Sequence, residues 1–129
     1  FHSDLGQTLG EALLTPHRSY YGVLRPMFPL VKGIAHITGG GLIENVPRVL
    51  PEGLSARFDT TTWQLPPIFS VIREMSEVDW DEMYRVFNMG LGMVLVCDPD
   101  MSGRVMSLTP EARVVGEVAP ATDEGRVIL

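Results

Sequence analysis

The chain has 129 residues, of which 45% are hydrophobic and 20% are charged, and its formal net charge is −6. This length allows one globular domain with a buried core, while the acidic balance and the scattered Lys and Arg residues argue against a nucleic-acid-binding surface. No apolar run is long enough for a membrane-spanning helix, and the single cysteine, Cys97, excludes an internal disulfide framework. Because Cys97 follows an apolar run, we expect a buried, unreactive thiol.

The first predicted helix runs from Pro16 to about Leu24. Thr15 is a favourable N-cap residue, Pro16 suits the first helical position, and Pro26 predicts the end of the helix. His17 lies in the first turn of this predicted helix, where an exposed side chain without a special role is expected.

A strand is predicted over Val31–Thr38, directly before three glycines. Its alternation places His36 and Thr38 on one face and Ala35 and Ile37 on the other. A lone histidine at a strand end is more often structural than functional. The glycines that follow His36 bring a functional role closer to even odds with a structural one. Histidine is also the side chain that titrates near neutral pH.

Gly39, Gly40 and Gly41 separate this strand from a helix-like segment. Glycine allows positive φ and a close approach of the backbone to a ligand, and free N–H groups at a helix start attract anions. A phosphate-binding loop and a sharp turn of purely structural purpose are both consistent with the pattern. The spacing matches neither a Walker A loop nor the G-x-G-x-x-G dinucleotide motif. Pro47 should kink or restart the helix that follows.

Two helices and a buried strand are predicted in the middle of the chain, after a short strand at Ser55–Asp59. Apolar residues with helical spacing predict core-facing stripes on both helices. Asp79 with Glu82 resembles a capping box, and Gly90 is the expected left-handed residue after the second helix. The uniformly apolar run Leu91–Cys97 predicts a strand covered on both faces. The first stripe comprises Ile68, Val71, Ile72 and Met75, and the second comprises Trp80, Met83, Tyr84 and Phe87.

The end of the chain completes an interleaved pattern of helices and strands. A short helix is predicted after Asp98 to about Leu108, and strands are predicted at Ala112–Val118 and Arg126–Leu129. This order predicts a single α+β (mixed α/β) domain in which helices pack on a mixed β-sheet.

Further candidate polar residues follow the special backbone positions. Asn45 and Arg48 come after the glycines, and Arg48 either closes over an anion or is an ordinary surface arginine. Asn88, near Arg85, either binds a ligand or terminates its helix. No metal-ligand spacing of His or Cys is present, and the carboxylates have no partners that indicate a magnesium site.

Four segments together resemble the phosphoribosylformylglycinamidine cyclo-ligase (aminoimidazole ribonucleotide synthetase) family. The resemblance covers essentially the whole chain, and its most specific motif is GIAHITGGGLIENVPRVLP at 33–51. The other three are LLTPHRSY at 13–20, WQLPPIF at 63–69 and EMYRVFNMGLGMV at 82–94.

The resemblance implies an ATP-dependent ring closure of purine biosynthesis, which converts formylglycinamidine ribonucleotide to aminoimidazole ribonucleotide. It implies that residues 1–129 are the C-terminal, substrate-side domain of a larger cytoplasmic enzyme, without its first strand. The family's N-terminal domain holds most of the contacts to ATP and Mg²⁺ and forms the homodimer. This chain alone should therefore be inactive, and its partners should be a nucleotide substrate and its own N-terminal domain, with no nucleic acid or membrane.

The family's functional positions map onto the residues singled out above. His36 falls on the position expected to contact substrate or assist proton transfer. The remaining matched positions, expected to bind substrate or its phosphate, are Thr38, Gly39, Gly40, Gly41, Asn45, Arg48 and Asn88.

Two departures from the family pattern stand out. His17 stands where the family usually has threonine, and the segment Asp98–Ala112 is shorter than in many relatives. Two alternatives stay open: the C-terminal domain of another member of the same ATP-binding superfamily, and a stand-alone, non-catalytic binding or assembly module.

Overall fold

The computed structural model describes all 129 residues and has the α+β architecture that the sequence predicts. Six α-helices and two small sheets alternate along the chain, and 3-10 turns extend several helices. None of the helices combines the length and hydrophobicity needed to cross a bilayer. The helices are α1 (Leu9–Leu13), α2 (Tyr21–Leu24), α3 (Gly41–Asn45), α4 (Pro67–Ser76), α5 (Trp80–Val86) and α6 (Ser102–Leu108). The strands are β1 (Gly33–His36), β2 (Leu54–Phe58), β3 (Met93–Val96), β4 (Gly116–Pro120) and β5 (Val127–Ile128).

The strands form two separate sheets. In the first, β1 and β3 are antiparallel, with Gly33 opposite Val96 and His36 opposite Met93. The second is mixed and has the order β4-β2-β5, with β4 antiparallel and β5 parallel to the central strand. The first sheet carries the candidate site, because β1 leads directly into the glycines.

Pairing partners decide where the strands begin and end. β1 is shorter than the predicted Val31–Thr38 because β3 offers four paired positions, although Ile37 still donates its N–H to the carbonyl of Gly92. β4 lies further along the chain than predicted, because its register with β2 places Gly116 opposite Phe58. These shifts depend on the partner strand, which local sequence does not specify.

The prediction of a helix from Pro16 is wrong. Helix α2 begins only at Tyr21, and a 3-10 helix at Arg25–Leu30 continues it past Pro26. The segment 15–20 is not helical, because its side chains make long-range contacts that a helix would not allow. Arg18 is bound to Glu111, and Tyr20 packs closely over Gly92. Here tertiary contacts override a favourable local start signal.

A short helix near the N-terminus was not predicted. Helix α1 carries a complete capping box, in which the Thr8 hydroxyl accepts from the N–H of Glu11 and the Glu11 carboxylate accepts from the N–H of Thr8. Such reciprocal bonds satisfy donors that a helix start otherwise leaves free. The hydrogen bond from the Thr8 N–H also lowers the pKa of the exposed Glu11 carboxyl.

Two hydrophobic clusters cover the two faces of the β1–β3 sheet. The first fills the space between this sheet, α3 and β2, and the second packs α2 and α6 on the opposite face. The apolar strand β3 is thus covered on both faces, as predicted, with Val94 in the first cluster and Leu95 against the second. The Cys97 thiol also packs on the second cluster, where desolvation raises its pKa. The first cluster comprises Ala35, Ile37, Leu42, Val46, Leu50, Ala56, Trp63 and Val94.

Only some residues of the apolar stripes predicted on α4 and α5 are buried in the core. On α5, Met83 is fully buried, whereas Trp80 is 37% exposed and lies over the guanidinium of Arg73, 4.7 Å from the ring centroid. On α4, Val71 is buried but Met75 is 69% exposed. The prediction that Trp80 and Met75 are core residues is wrong: Trp80 is the first residue of α5 and Met75 the last but one of α4, and both are exposed.

Candidate functional site

The end of β1 presents His36 and Thr38 to solvent. The alternation predicted from sequence is confirmed, since Ala35 and Ile37 are 4% and 2% exposed whereas His36 and Thr38 are exposed. Buried neighbours on one face and the hydrogen bonds to β3 fix the strand, so both polar side chains have a rigid base.

The turn after β1 leaves backbone donors free. The N–H of Gly41 donates to the carbonyl of Thr38, and the N–H of Glu44 donates to that of Gly40. The amides of Thr38, Gly39 and Gly40 donate no hydrogen bond within the chain. Free N–H groups at an exposed turn before a helix can bind an anionic group such as phosphate.

The three glycines have different local roles. Gly41 has φ +56°, and a Cβ there would lie 2.7 Å from the carbonyl oxygen of Phe87 and overlap that of Tyr84. Gly40 has φ +93°, and its Cβ would lie 2.5 Å from the Glu44 carboxylate. Gly39 has no positive φ, and a Cβ there would meet nothing within 4 Å. Gly41 is thus required by packing, and only Gly39 borders open space.

Asn45 holds the glycine turn from beneath. Its side-chain Nδ2 lies 2.8 Å from the carbonyl oxygen of Gly41, 3.2 Å from that of Gly39 and 3.4 Å from that of Thr38. The residue is 5% exposed. The buried Asn45 amide thus ties the carbonyls of the turn to α3, while the N–H groups of Thr38, Gly39 and Gly40 donate no hydrogen bond within the chain.

The other two predicted binding residues, Asn88 and Arg48, lie in the segments that follow α5 and α3. The Asn88 Oδ1 accepts from the N–H of Gly90 at 2.9 Å and so shapes the turn after α5, where Gly90 has the expected positive φ. Arg48 is exposed on the 3-10 helix Val46–Val49 and forms no ion pair. As predicted, Pro47 ends α3 and restarts the chain as this 3-10 helix.

His17 lies directly against His36, which sequence spacing did not indicate. The Nε2 atoms of the two rings are 3.2 Å apart, and the ring centroids are 5.1 Å apart. The segment 15–20 carries His17 to this position, together with Tyr20, whose ring centroid lies 6.2 Å from that of His36. A separation of 19 residues between the histidines leaves no local signal of the pair.

An open cleft of about 440 Å³ borders the two histidines. Its walls are mostly apolar and aromatic, and Arg18 provides a cation at its rim. The guanidinium of Arg18 donates to both carboxylate oxygens of Glu111, and this bond lowers the pKa of that carboxyl and raises the pKa of Arg18. The remaining lining residues include Tyr20, Tyr21, Leu24, Phe28, Ile34 and Met93.

No three His, Cys, Asp or Glu side chains converge on a point where they could hold a metal ion. The arrangement therefore does not fit a resident Mg²⁺ site, which would need carboxylates beside the substrate phosphate. What the residues do fit is an anion at the amides of 38–40, with an imidazole on the neighbouring strand end.

The fold and the site define a class of protein: an α+β domain with a glycine turn suited to anions. Residues 1–128 match the sequence profile of the family described as "AIR synthase related protein, C-terminal domain". The chain belongs to this family. It is also similar to proteins named phosphoribosylformylglycinamidine cyclo-ligase from several bacteria.

Three relatives illustrate the extent of this similarity. The protein from Bifidobacterium animalis subsp. lactis is 54% identical over 106 residues, which cover 81% of this chain and 31% of the relative. That from Caldanaerobacter subterraneus subsp. tengcongensis is 46% identical over 131 residues, or 98% of this chain and 38% of the relative. That from Bifidobacterium longum subsp. infantis is 43% identical over 130 residues, or 96% and 38%. The chain thus spans less than two fifths of the length of these relatives.

Proposed function

We propose that this chain is the C-terminal, substrate-side domain of a phosphoribosylformylglycinamidine cyclo-ligase. The reaction is the ATP-dependent closure of formylglycinamidine ribonucleotide to aminoimidazole ribonucleotide. The observation that carries the proposal is the turn at 38–41, with free amide donors beside His36, in a chain similar to several bacterial proteins named phosphoribosylformylglycinamidine cyclo-ligase. The consistent naming favours this function over another activity of the same superfamily.

In this proposal the backbone amides of the turn bind the substrate, and His36 transfers a proton. The amides of Thr38, Gly39 and Gly40 would hold the ribose phosphate of the nucleotide, and the unpaired Arg48 would add positive charge beyond them. ATP supplies the phosphoryl group that activates the formyl oxygen of the substrate. His36 would take the proton that the attacking nitrogen loses as the ring closes and phosphate leaves. Asn45 and Asn88 would keep the turn and its neighbour in shape.

The partners of the domain follow from the same proposal. Most contacts to ATP and Mg²⁺ would come from an N-terminal domain of the longer protein, since the residues here offer no carboxylate cluster. That domain would also form the homodimer, and the whole would act as a cytoplasmic enzyme. The nucleotide would bind where the two domains face each other, with His36 and the glycine turn on this side.

We also propose that a strand from the preceding part of the longer protein completes this domain. An open cavity of about 1220 Å³ runs along β3, and its apolar lining includes Phe58, Trp63 and Val96. The β1–β3 sheet has only two strands and therefore two open edges. Small open sheets are marginal by themselves, so an added strand would stabilise both the sheet and the cavity walls.

The activity of the longer protein tests the proposed function. We expect the natural protein that contains this chain to form aminoimidazole ribonucleotide from formylglycinamidine ribonucleotide and ATP. Residues 1–129 alone should form none, because they lack a nucleotide site with metal ligands. Product formation by the isolated 129 residues would contradict the division into two domains. A longer protein that binds the nucleotide but never converts it would favour the non-catalytic alternative.

A further inference from the structure

The pairing of His17 with His36 goes beyond the proposed role of His36. The 3.2 Å separation of their Nε2 atoms is a hydrogen-bond distance, so one ring donates and the other accepts. Neither Nδ1 atom makes a hydrogen bond within the chain. The pair therefore offers two free nitrogens joined through one shared proton.

The position of His17 is fixed by the residues that follow it. Arg18 forms a two-point bond with Glu111, and its guanidinium lies 5.3 Å from the centre of the Tyr20 ring. Tyr20 in turn lies so close to Gly92 that any Cβ there would overlap its hydroxyl. The strap formed by residues 15–20 is thus anchored at Gly92, directly before β3, and at Glu111 in the loop after α6, with His17 held against His36 of β1.

We propose that His17 is a positioning residue that relays protons between His36 and solvent. This inference rests on the proposed function. In the relay, Nδ1 of His36 takes the proton from the attacking nitrogen of the substrate, and the Nε2 proton of His36 passes to Nε2 of His17. The Nδ1 proton of His17 then leaves to water from its exposed ring. After the product has left, Nδ1 of His36 releases its proton to water, the shared proton returns to Nε2 of His36, and Nδ1 of His17 takes a proton from water. Each ring then ends as it began, and water is the only other participant.

The positions of the two rings give the relay its direction. Both histidines are exposed in the isolated domain, but His36 stands at the end of β1 next to the turn that would hold the substrate. His17 belongs to the strap and lies on the cleft side, beside Tyr20 at 5.9 Å between ring centroids. A bound nucleotide covers His36 first, and His17 then provides the remaining path to water.

The test uses the longer protein with variants at both positions. His17→Gln keeps a side chain that can hydrogen-bond to His36 but cannot carry a proton, and His17→Ala removes both functions. We expect each variant to lower kcat about tenfold or more while KM and the melting temperature stay unchanged. Added imidazole should restore part of the activity of His17→Ala. The double variant His17→Gln with His36→Gln should be no slower than His36→Gln alone, since residues that act as a unit are not additive.

The outcomes separate this inference from the function on which it rests. Unchanged kcat in both His17 variants, with a loss in His36→Gln, would overturn the relay and leave the proposed function intact. Full activity of His17→Gln with a loss only in His17→Ala would also overturn it, since His17 would then merely orient His36. Full activity of His36→Gln would contradict the catalytic role of His36 itself.

Discussion

Replacing Gly41 with alanine should destabilise the domain severely. An alanine at this position must keep the left-handed backbone conformation at φ +56°, which costs about 1–2 kcal/mol for a residue with a side chain. It must also displace the carbonyl groups of Tyr84 and Phe87, and such overpacking adds about 1–3 kcal/mol. Together these costs are a large fraction of the stability of an ordinary domain. Thermal and denaturant unfolding of the longer protein would measure the loss.

Gly39→Ala is the matched control for this experiment. Gly39 lies two residues earlier in the same turn, has no positive φ, and its Cβ would meet no atom within 4 Å. We expect its unfolding free energy to stay within about 0.5 kcal/mol of the wild type. If the two alanine variants were equally stable, the packing of Gly41 against α5 described above would be incorrect. Gly40 is less informative, because its φ of +93° would strain any substitution there.

Replacing His36 with glutamine should reduce turnover about 10²–10⁴-fold, the usual effect of losing a general acid or base. His36 is exposed, so the melting temperature should stay near that of the wild type. Glutamine keeps hydrogen-bonding capacity with His17, and the loss would therefore report proton transfer rather than a local collapse. Steady-state kinetics of the longer protein measure both kcat and KM.

Arg104→Gln provides a control for the His36 experiment. Arg104 is exposed on α6 and forms no ion pair, so its substitution removes a charge without touching the cleft. Its kinetics should match the wild type. A His36→Gln enzyme with wild-type turnover would show that this histidine has only a structural role in the strand end.

The features that sequence predicted well are those with strong local signals. Asp79 caps α5 as expected, with its Oδ1 accepting from the N–H of Glu82 at 2.8 Å. Alternation along β1 correctly separated His36 from Ala35, because one face of the strand is buried. The family resemblance through the motif at 33–51 was confirmed by the match over residues 1–128.

The features that sequence predicted poorly depend on distant partners. The segment 15–20 has a favourable helix start, yet it is not helical, and Arg18 binds Glu111, which lies 93 positions away. The same segment brings His17 to His36, so no local sequence pattern predicts the pair. Helical spacing likewise placed Trp80 in the core, because periodicity gives the direction of a side chain but not how far the neighbouring surface extends.

The glycine turn was predicted only in part from the sequence. Sequence left open whether the three glycines serve a ligand or the backbone, and the structure assigns backbone reasons to Gly40 and Gly41. Asn45 was predicted to bind substrate, but its Nδ2 is engaged with the carbonyls of the turn itself. Its contribution to binding, like those of Arg48 and Asn88, stays a prediction.

The affinity of the longer protein for its nucleotide substrate, compared between Gly39→Asp and Gly39→Asn, tests the central claim most directly. The two side chains are nearly equal in size and both fit the open position, so their difference isolates a negative charge next to the free amides. If the turn binds the substrate phosphate, the Asp variant should bind formylglycinamidine ribonucleotide at least about tenfold more weakly than the Asn variant, or about 1.4 kcal/mol, at equal melting temperature. Equal dissociation constants in calorimetric titrations would contradict a phosphate site at this turn.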